Sequence, residues 1–527
     1  MYGDKHNITK HQRGAIMKKF GGLILIIILI HITSILFSQD EDWLNQVGRY
    51  TMKSTVSDDS LFSILSTWNE YNKPDSTGVI ITYFNEINDT LDAPYVLFIP
   101  SSYDPTRKTP MLVYLHGGVS TRDFYSIEED FMQENYFIPY AEELTWLMLF
   151  PFGNIDTSWW DLNGVLNVQT QISALKTMFN IDDDRIYITG FSDGGSGSFF
   201  MAMTTPDPFA SFYPLNGFLS VGSLVTGKPT FVANLRNRRV NVINTDMDGL
   251  YPAQRMRLVV DLALQAGADL LYKEYWGIGH DFDYAPQEIP IMIQNMQIQP
   301  RDIFQPTIYW ETWTPDYGKC DWLEILEIDS TMTKQFWQLE YQTQLPDDRI
   351  SFGFYPDDDF DYDGIMVYNL VDGETTARQM GLQRNDLIIA MDGVPIHSLD
   401  DMDSLKIFKH RGDSVSLTVK RFGEEITLFG QFPDTTYYDA ITYSTPSGAL
   451  QAEYFGNEFV IETSRVKKLA IYLHPAMVNF DNPVKVIIND EIVFDENIAI
   501  DREFMVDNFF RNRDRTALWA KKLEFEL

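Results

Sequence analysis

Between Arg185 and Ser198 the chain reads R-I-Y-I-T-G-F-S-D-G-G-S-G-S, and this stretch restricts the fold more than any other. Ile186 to Thr189 has the length and β-branched content of a buried strand. It stops at Gly190, and past Gly195 the pattern from Ser198 to Met203 is helical. Within the turn, Gly190-Phe191-Ser192-Asp193-Gly194 fits G-x-S-x-G. Its two glycines let neighbouring backbone crowd a serine that is held in a strained conformation with its hydroxyl outward. That geometry suits a nucleophile, and the rest of the chain has to supply its partners.

The flanking pattern is one of strands and helices in alternation. Val79 to Phe84 and Tyr95 to Pro100 flank the turn-like Asn88-Asp89-Thr90 and read as a hairpin. Met111 to Leu115 is a buried strand that runs into His116-Gly117-Gly118, and Trp146 to Phe150 is another. A helical stretch around Val165 to Met178 follows. Beyond the serine come strands near Val240 to Ile243 and Leu270 to Tyr275, with a helix at Ala253 to Ala266 between them. Such alternation predicts an α/β fold, with a mostly parallel sheet covered on both faces.

A serine hydroxyl is a weak nucleophile and needs a general base, normally a histidine oriented by a carboxylate. The chain has eight histidines. His6, His11 and His31 lie in the leader, and His397, His410 and His474 lie beyond the α/β region, which leaves His116 and His280. His116 opens the His-Gly-Gly turn, where neighbouring amides are better placed as donors than the ring is as a base. His280 lies in Gly277-Ile278-Gly279-His280-Asp281, just past a strand, where a base on this architecture belongs. In the order Ser, Asp, His the acid falls before His280, and N-T-D-M-D-G-L-Y-P offers both Asp246 and Asp248. The oxyanion needs aimed donors: the amide of Asp193 is one, and Gly117 or Gly118 supplies the other. The carboxylate of Asp193 disfavours an adjacent oxyanion unless it turns away or pairs. Trp159, Trp160 and Tyr251 are candidates for a pocket wall, with core packing as the competing role.

L-H-G-G, G-F-S-D-G-G, D-G-L-Y-P and G-x-G-H, in this order, resemble the α/β-hydrolase superfamily over residues 78–298, in particular secreted esterases related to feruloyl esterases and polyhydroxybutyrate depolymerases. The resemblance implies a doubly wound, mostly parallel sheet and hydrolysis of a carboxylic ester, polymeric in the depolymerase case, through an acyl-enzyme. It implies no cofactor and no metal. It casts Ser192 as nucleophile, His280 as base and the Gly118 and Asp193 amides as oxyanion hole. Because D-x-x-Y-P resembles the acid loop of many esterases, it favours Asp248 over Asp246. A serine peptidase of the same fold and a catalytically silent scaffold or adhesion protein are the alternatives.

Near Pro300 the alternation ends and strands dominate. Residues 344–433 resemble a PDZ domain: Ser351-Phe352-Gly353-Phe354 is similar to its carboxylate-binding loop, and M-G-L-Q-R-N-D-L-I-I-A-M-D-G-V-P-I to its central signature. The resemblance implies that the Phe352, Gly353 and Phe354 amides hold a peptide C-terminal carboxylate while the peptide adds as a strand. Asp359, Asp361 and Asp363 match the start of an EF-hand-type calcium loop, but Leu370 stands where the bidentate Glu belongs, so that reading fails. Residues 306–343 and 440–527 are each short for a domain. The expectation is one β-sandwich built from both, with the PDZ-like segment inserted and a hairpin at Val484 to Phe494 turning on Asn489-Asp490.

At 527 residues several domains are expected. The net charge of -34 argues against nucleic acid as a partner. Cys320 is the sole cysteine, which excludes an intrachain disulfide and a Cys-rich zinc site. Lys18-Lys19 ahead of the apolar Gly21 to Phe37, then Gln39-Asp40-Glu41, describes a signal peptide within a leader of residues 1–38. Residues 39–77 follow as a helical segment. Export to the periplasm or beyond is the expectation, with a retained membrane anchor as the alternative.

Overall fold

The computed structural model describes residues 27–29, 56–88, 91–124, 135–347, 350–357, 360 and 362–527. Apart from Ile27–Leu29, the expected leader and signal peptide lie outside the described residues. The chain forms two compact units, residues 1–343 with 440–527, and residues 344–439.

The first unit contains a nine-stranded sheet of β1 (Ile27–Leu29), β2 (Val79–Asn88), β3 (Leu91–Ile99), β4 (Thr109–Leu115), β5 (Leu147–Pro151), β6 (Ile181–Phe191), β7 (Ser211–Leu215), β8 (Arg239–Thr245) and β9 (Leu270–Tyr275), in the order β1-β2-β3-β5-β4-β6-β7-β8-β9. β3 runs antiparallel to β2 and β5, and the pairs from β5 through β4 to β9 are parallel. This is the strand order of the α/β-hydrolase fold. The central strands β5 and β7 have every residue buried, and β6 is buried without a break from Ile186 to Gly190, as strands covered on both faces must be. Helices α1 (Leu162–Met178), α2 (Asp193–Thr204), α3 (Ala253–Gln265) and α4 (Ala285–Ile298) accompany them. The neighbours of β4 are β5 on one side and β6 on the other, so the loops leaving the carboxyl ends of β4 and β6 diverge and open a crevice between them.

The glycine run after the serine differs from its reading as a turn. Helix α2 begins at Asp193, not at Ser198. A Cβ on Gly194 would lie 2.0 Å from the Leu115 carbonyl oxygen, one on Gly195 2.6 Å from that of Leu215, and one on Gly197 2.3 Å from the Trp159 Cβ. These glycines form a smooth helix face that packs directly on strand ends.

The same unit contains two further sheets. Thr307–Thr312 pairs with Gly448–Phe455 in a five-stranded sheet, and Leu323–Ile328 pairs with Val466–Leu473 in a four-stranded one, so both draw strands from either side of residues 344–439. Trp310, Trp322 and Trp519 are fully buried between them, with Cys320. Asn489 and Asp490 both adopt positive φ in the turn between Val484–Ile488 and Glu491–Glu496. The second unit is a small sheet with Phe354–Pro356 at its edge, closed over a core of Phe352, Val367, Ile388 and Leu417. No helix among the described residues is long and apolar enough to cross a membrane.

Candidate active site

Ser192 joins β6 to α2 with φ 61° and ψ −122°. A non-glycine residue there costs about 1–3 kcal/mol and persists only when its surroundings over-determine it. They do. The Ser192 amide donates to the Leu215 carbonyl at 3.0 Å, and its carbonyl accepts from the Ser196 amide at 3.0 Å. A Cβ on Gly190 would sit 2.6 Å from the Leu115 carbonyl oxygen, so a side chain at either glycine of the motif would drive the turn off β4.

The loops after β8 and β9 are bonded to each other. The Met247 amide donates to the Ile278 carbonyl at 3.1 Å, the Thr245 hydroxyl to Gly279 at 2.6 Å, and the Gly277 amide to the Asp246 carboxylate at 2.6 Å. Asp246 is thereby committed to the backbone of the neighbouring loop, and Asp248 is the acid that meets His280. The Nδ1 of His280 lies 2.8 Å from Asp248 Oδ2, and its Nε2 lies 2.8 Å from Ser192 Oγ. With Nδ1 donating to the carboxylate, Nε2 accepts from the serine hydroxyl. Phe191 and Tyr251 flank the imidazole, with ring centroids at 4.9 and 5.8 Å.

Asp248 is inaccessible to solvent, and burial resists its charge. Hydrogen bonds from His280, from the Tyr251 amide at 2.8 Å and from Asn216 Nδ2 at 3.0 Å outweigh that, and hold its carboxyl below the ordinary value. Asn216, at positive φ just past β7, also donates to Thr245 and accepts from the Tyr284 hydroxyl at 2.7 Å. Sequence reasoning missed Asn216 and Tyr284. The only signal was an Asn-Gly pair ending a buried strand.

The His116-Gly117-Gly118 turn faces the elbow. A Cβ on Gly117 would come 3.1 Å from Ser192 Cβ and 3.6 Å from its Oγ, so the absent side chain opens space beside the nucleophile. His116 Nε2 accepts from the Gly153 amide at 2.9 Å, which leaves Nδ1 to donate to the Gly117 carbonyl at 2.8 Å. Burial lowers the His116 pKa to about 4, so its ring is a neutral fixture. A trans peptide points its N–H opposite its C=O, so anchoring the Gly117 carbonyl turns the Gly118 amide away from His116. The Asp193 carboxylate accepts from the Val119 amide at 3.1 Å and from the Tyr251 hydroxyl at 2.9 Å, and is thus a paired group.

One expected pocket wall needs correction. Trp159 is fully buried: its indole donates to the His116 carbonyl at 2.9 Å, and its ring lies against Gly153 and Gly197. It is a strut beneath the glycine turn, because the glycines leave a gap that only a large ring fills. Trp160 is also buried, whereas Tyr251 is part-exposed.

In the second unit, Gly353 has φ 81°, and a Cβ there would meet Thr375 at 2.5 Å. Its amide donates to the Ser351 hydroxyl at 3.2 Å. The Phe352 carbonyl accepts from Ala377 at 2.7 Å with the Phe352 ring in the core, and Phe354 opens the edge strand. Asp359 and Asp361 lie outside the described residues.

Residues 328–429 match the PDZ domain family. The bifunctional acetylxylan esterase/xylanase XynS20E of Neocallimastix patriciarum is 25% identical over 152 residues, covering 28% of this chain and 21% of the relative. The chain therefore aligns with about a fifth of the length of that curated relative. Among solved structures, a thermostable esterase is 25% identical, with 42% of this chain and 63% of the other covered and a TM-score of 0.35. A ferulic acid esterase is 16% identical, with 41% and 97% covered and a TM-score of 0.35.

Proposed function

We propose that the chain hydrolyses carboxylic esters through an acyl-enzyme on Ser192. The observation that carries this reading is the unbroken relay from Asp248 through His280 to Ser192, with 2.8 Å at each step, at the carboxyl ends of three strands of one α/β-hydrolase sheet. In the first half-reaction Ser192 Oγ attacks the ester carbonyl carbon while its proton passes to His280 Nε2. The Gly118 and Asp193 amides receive the oxyanion. Collapse of the tetrahedral adduct breaks the bond to the alkoxy oxygen, which leaves as the alcohol with the proton from His280. Water repeats the sequence on the acyl-enzyme, releasing the acid and restoring Ser192. Asp248 holds Nδ1 protonated and stabilises the imidazolium that forms at each stage.

The relative named as an acetylxylan esterase suggests short acyl groups on a polymeric carbohydrate as the substrate class. Met247 and Leu250 stand exposed in the acid loop on either side of Asp248. The PDZ domain holds a peptide C-terminus at the Phe352, Gly353 and Phe354 amides, the carboxylate replacing the Ser351 hydroxyl on Gly353. Lys18-Lys19 ahead of the apolar segment at Gly21 to Phe37 supports export as part of this reading.

Purified protein is expected to turn over p-nitrophenyl acetate and to release acetate from acetylated xylan. A fluorophosphonate probe is expected to label it, and Ser192→Ala to abolish both. A folded wild type that neither cleaves an ester nor takes the label would overturn the reading. Labelling with peptide cleavage and no ester turnover would make it a peptidase.

A further inference from the structure

Asp193 is the residue of the elbow that the relay does not use, and a carboxylate beside an oxyanion hole works against it unless it has another task. The contacts of Asp193 supply one. Oδ1 accepts from the Tyr251 hydroxyl at 2.9 Å and Oδ2 from the Val119 amide at 3.1 Å. Tyr251 in turn donates its own amide to Asp248 Oδ1 at 2.8 Å. The chain of contacts is therefore closed: Ser192 to His280, His280 to Asp248, Asp248 to Tyr251, Tyr251 to Asp193, and Asp193 covalently back to Ser192.

The branch to Val119 reaches the glycine turn. Gly118 has φ 70°, and the peptide on each side of its Cα is anchored. The Gly117 carbonyl is held by His116 and the Val119 amide by Asp193. The Tyr251 ring stacks on Phe218 at 6.2 Å with planes 4° apart, and its edge meets His280, so the phenol has little freedom to leave Asp193. Burial, with Asp193 alongside, raises the phenol pKa and keeps the hydroxyl a donor.

We infer that Asp193 and Tyr251 are positioning residues, a brace that locks the glycine turn and the acid loop to the nucleophile so that the oxyanion donors are set before substrate arrives. The inference rests on the hydrolase reading of Ser192. A brace of this kind acts on the transition state, where a displacement of about 1 Å costs on the order of 10²-fold in rate.

The test compares D193A, D193N, Y251F and the D193A/Y251F double variant with wild type and S192A, on p-nitrophenyl acetate turnover and on the second-order rate of fluorophosphonate labelling, with thermal unfolding recorded for each. D193A is expected to lower kcat and the labelling rate by about 10²-fold with KM within about threefold. D193N is expected to recover about tenfold of that loss, because its amide oxygen still accepts from Val119 and its NH₂ can donate to the Tyr251 oxygen. Y251F is expected to cost about tenfold, and the double variant to be no slower than D193A, since both substitutions remove one interaction. Three results would overturn the brace: D193A within twofold of wild type in kcat, D193N no better than D193A at equal unfolding temperature, or single losses that multiply in the double variant. A wild type that is not labelled, or an S192A variant as active as wild type, would instead overturn the hydrolase reading and the brace with it.

Discussion

β6 carries a buried aspartate environment at each end, and the two ends are built differently. Past its carboxyl end, Asp248 is compensated by one part-exposed imidazole, that of His280, whose second nitrogen goes on to Ser192. At its start, Asp183 and Asp184 meet a seam formed by α1, the segment after α4 and the loop before Lys521–Glu526. There Asp514 lies 2.9 Å from both Lys176 Nζ and Arg301 Nη1, Arg515 lies 2.7 Å from Asp183, and every one of these side chains is almost wholly buried. Burial resists charge on Asp514, yet Arg301 and Lys176 hold its carboxyl well below the usual range. The same chemistry thus serves two ends. At the seam each charge has a full partner and nothing is left over, so the cluster can only hold chain segments together. At the relay the partner is a weak base whose second ring nitrogen has a lone pair left to accept from Ser192, the arrangement on which the proposed hydrolase reading rests.

The largest expected effect strikes the reactive end alone. Ser192→Ala is predicted to lower ester turnover by about 10⁶-fold while leaving the denaturant midpoint unchanged. Next, Asp248→Asn is predicted to cost about 10⁴-fold in kcat, because an amide permits the wrong imidazole tautomer and cannot stabilise the imidazolium. Asp246→Asn, at a carboxylate that accepts from the Gly277 amide and has no bond to His280, is expected to cost less than tenfold. Equal losses for the two aspartates, measured under saturating p-nitrophenyl acetate, would sink the assignment of Asp248 as the orienting acid.

Asp514→Ala should do the reverse. It removes the carboxylate that Lys176 and Arg301 share and leaves three buried cations, Lys176, Arg301 and Arg515, against the two carboxylates of Asp183 and Asp184, and urea unfolding is expected to show a loss of about 3–5 kcal/mol. Turnover per folded molecule stays at the wild-type value. A drop in kcat without a drop in stability would mean that the two ends of β6 are coupled rather than independent.

How far each end was legible in the sequence follows from the same contrast. Ser192 stood out because a strained serine needs glycines around it, and His280 because few histidines fell within the α/β region. Asp246 and Asp248 could not be separated by spacing, because loop geometry decides which carboxylate meets a ring and which caps a backbone amide. Helix α2 was read as starting too late, since a glycine run looks like a turn until Leu115, Leu215 and Trp159 are seen to press on it. Asn216, Tyr284 and the partners of Asp193 were invisible, being polar contacts between loops remote in sequence. The seam was more hidden still: Lys176, Arg301 and Asp514 carry no motif, and only the folded chain brings them together.

The smallest expected effect uses two histidines to separate the ends by pH. Burial lowers both His116, under the glycine turn, and His474, packed among Phe62, Phe304 and Trp519, from 6.5 to about 4. Each is therefore neutral in the folded protein over a range where the unfolded chain binds a proton. The stability that this neutrality contributes is complete above pH 6.5 and is lost as pH falls towards 4, by roughly 3 kcal/mol for each ring. Asp514 acts in a lower window: its depressed pKa stabilises the fold above the ordinary carboxylate value of 3.8 and fails only below it. His474→Asn keeps an acceptor for the Ala476 amide, which bonds to Nδ1 at 3.0 Å. It is predicted to make the fall of stability between pH 6.5 and 4 shallower by the roughly 3 kcal/mol that one ring contributes, read by urea unfolding at several pH values, while leaving kcat at pH 7 untouched. An unchanged slope would mean that His474 already takes up its proton in the folded state.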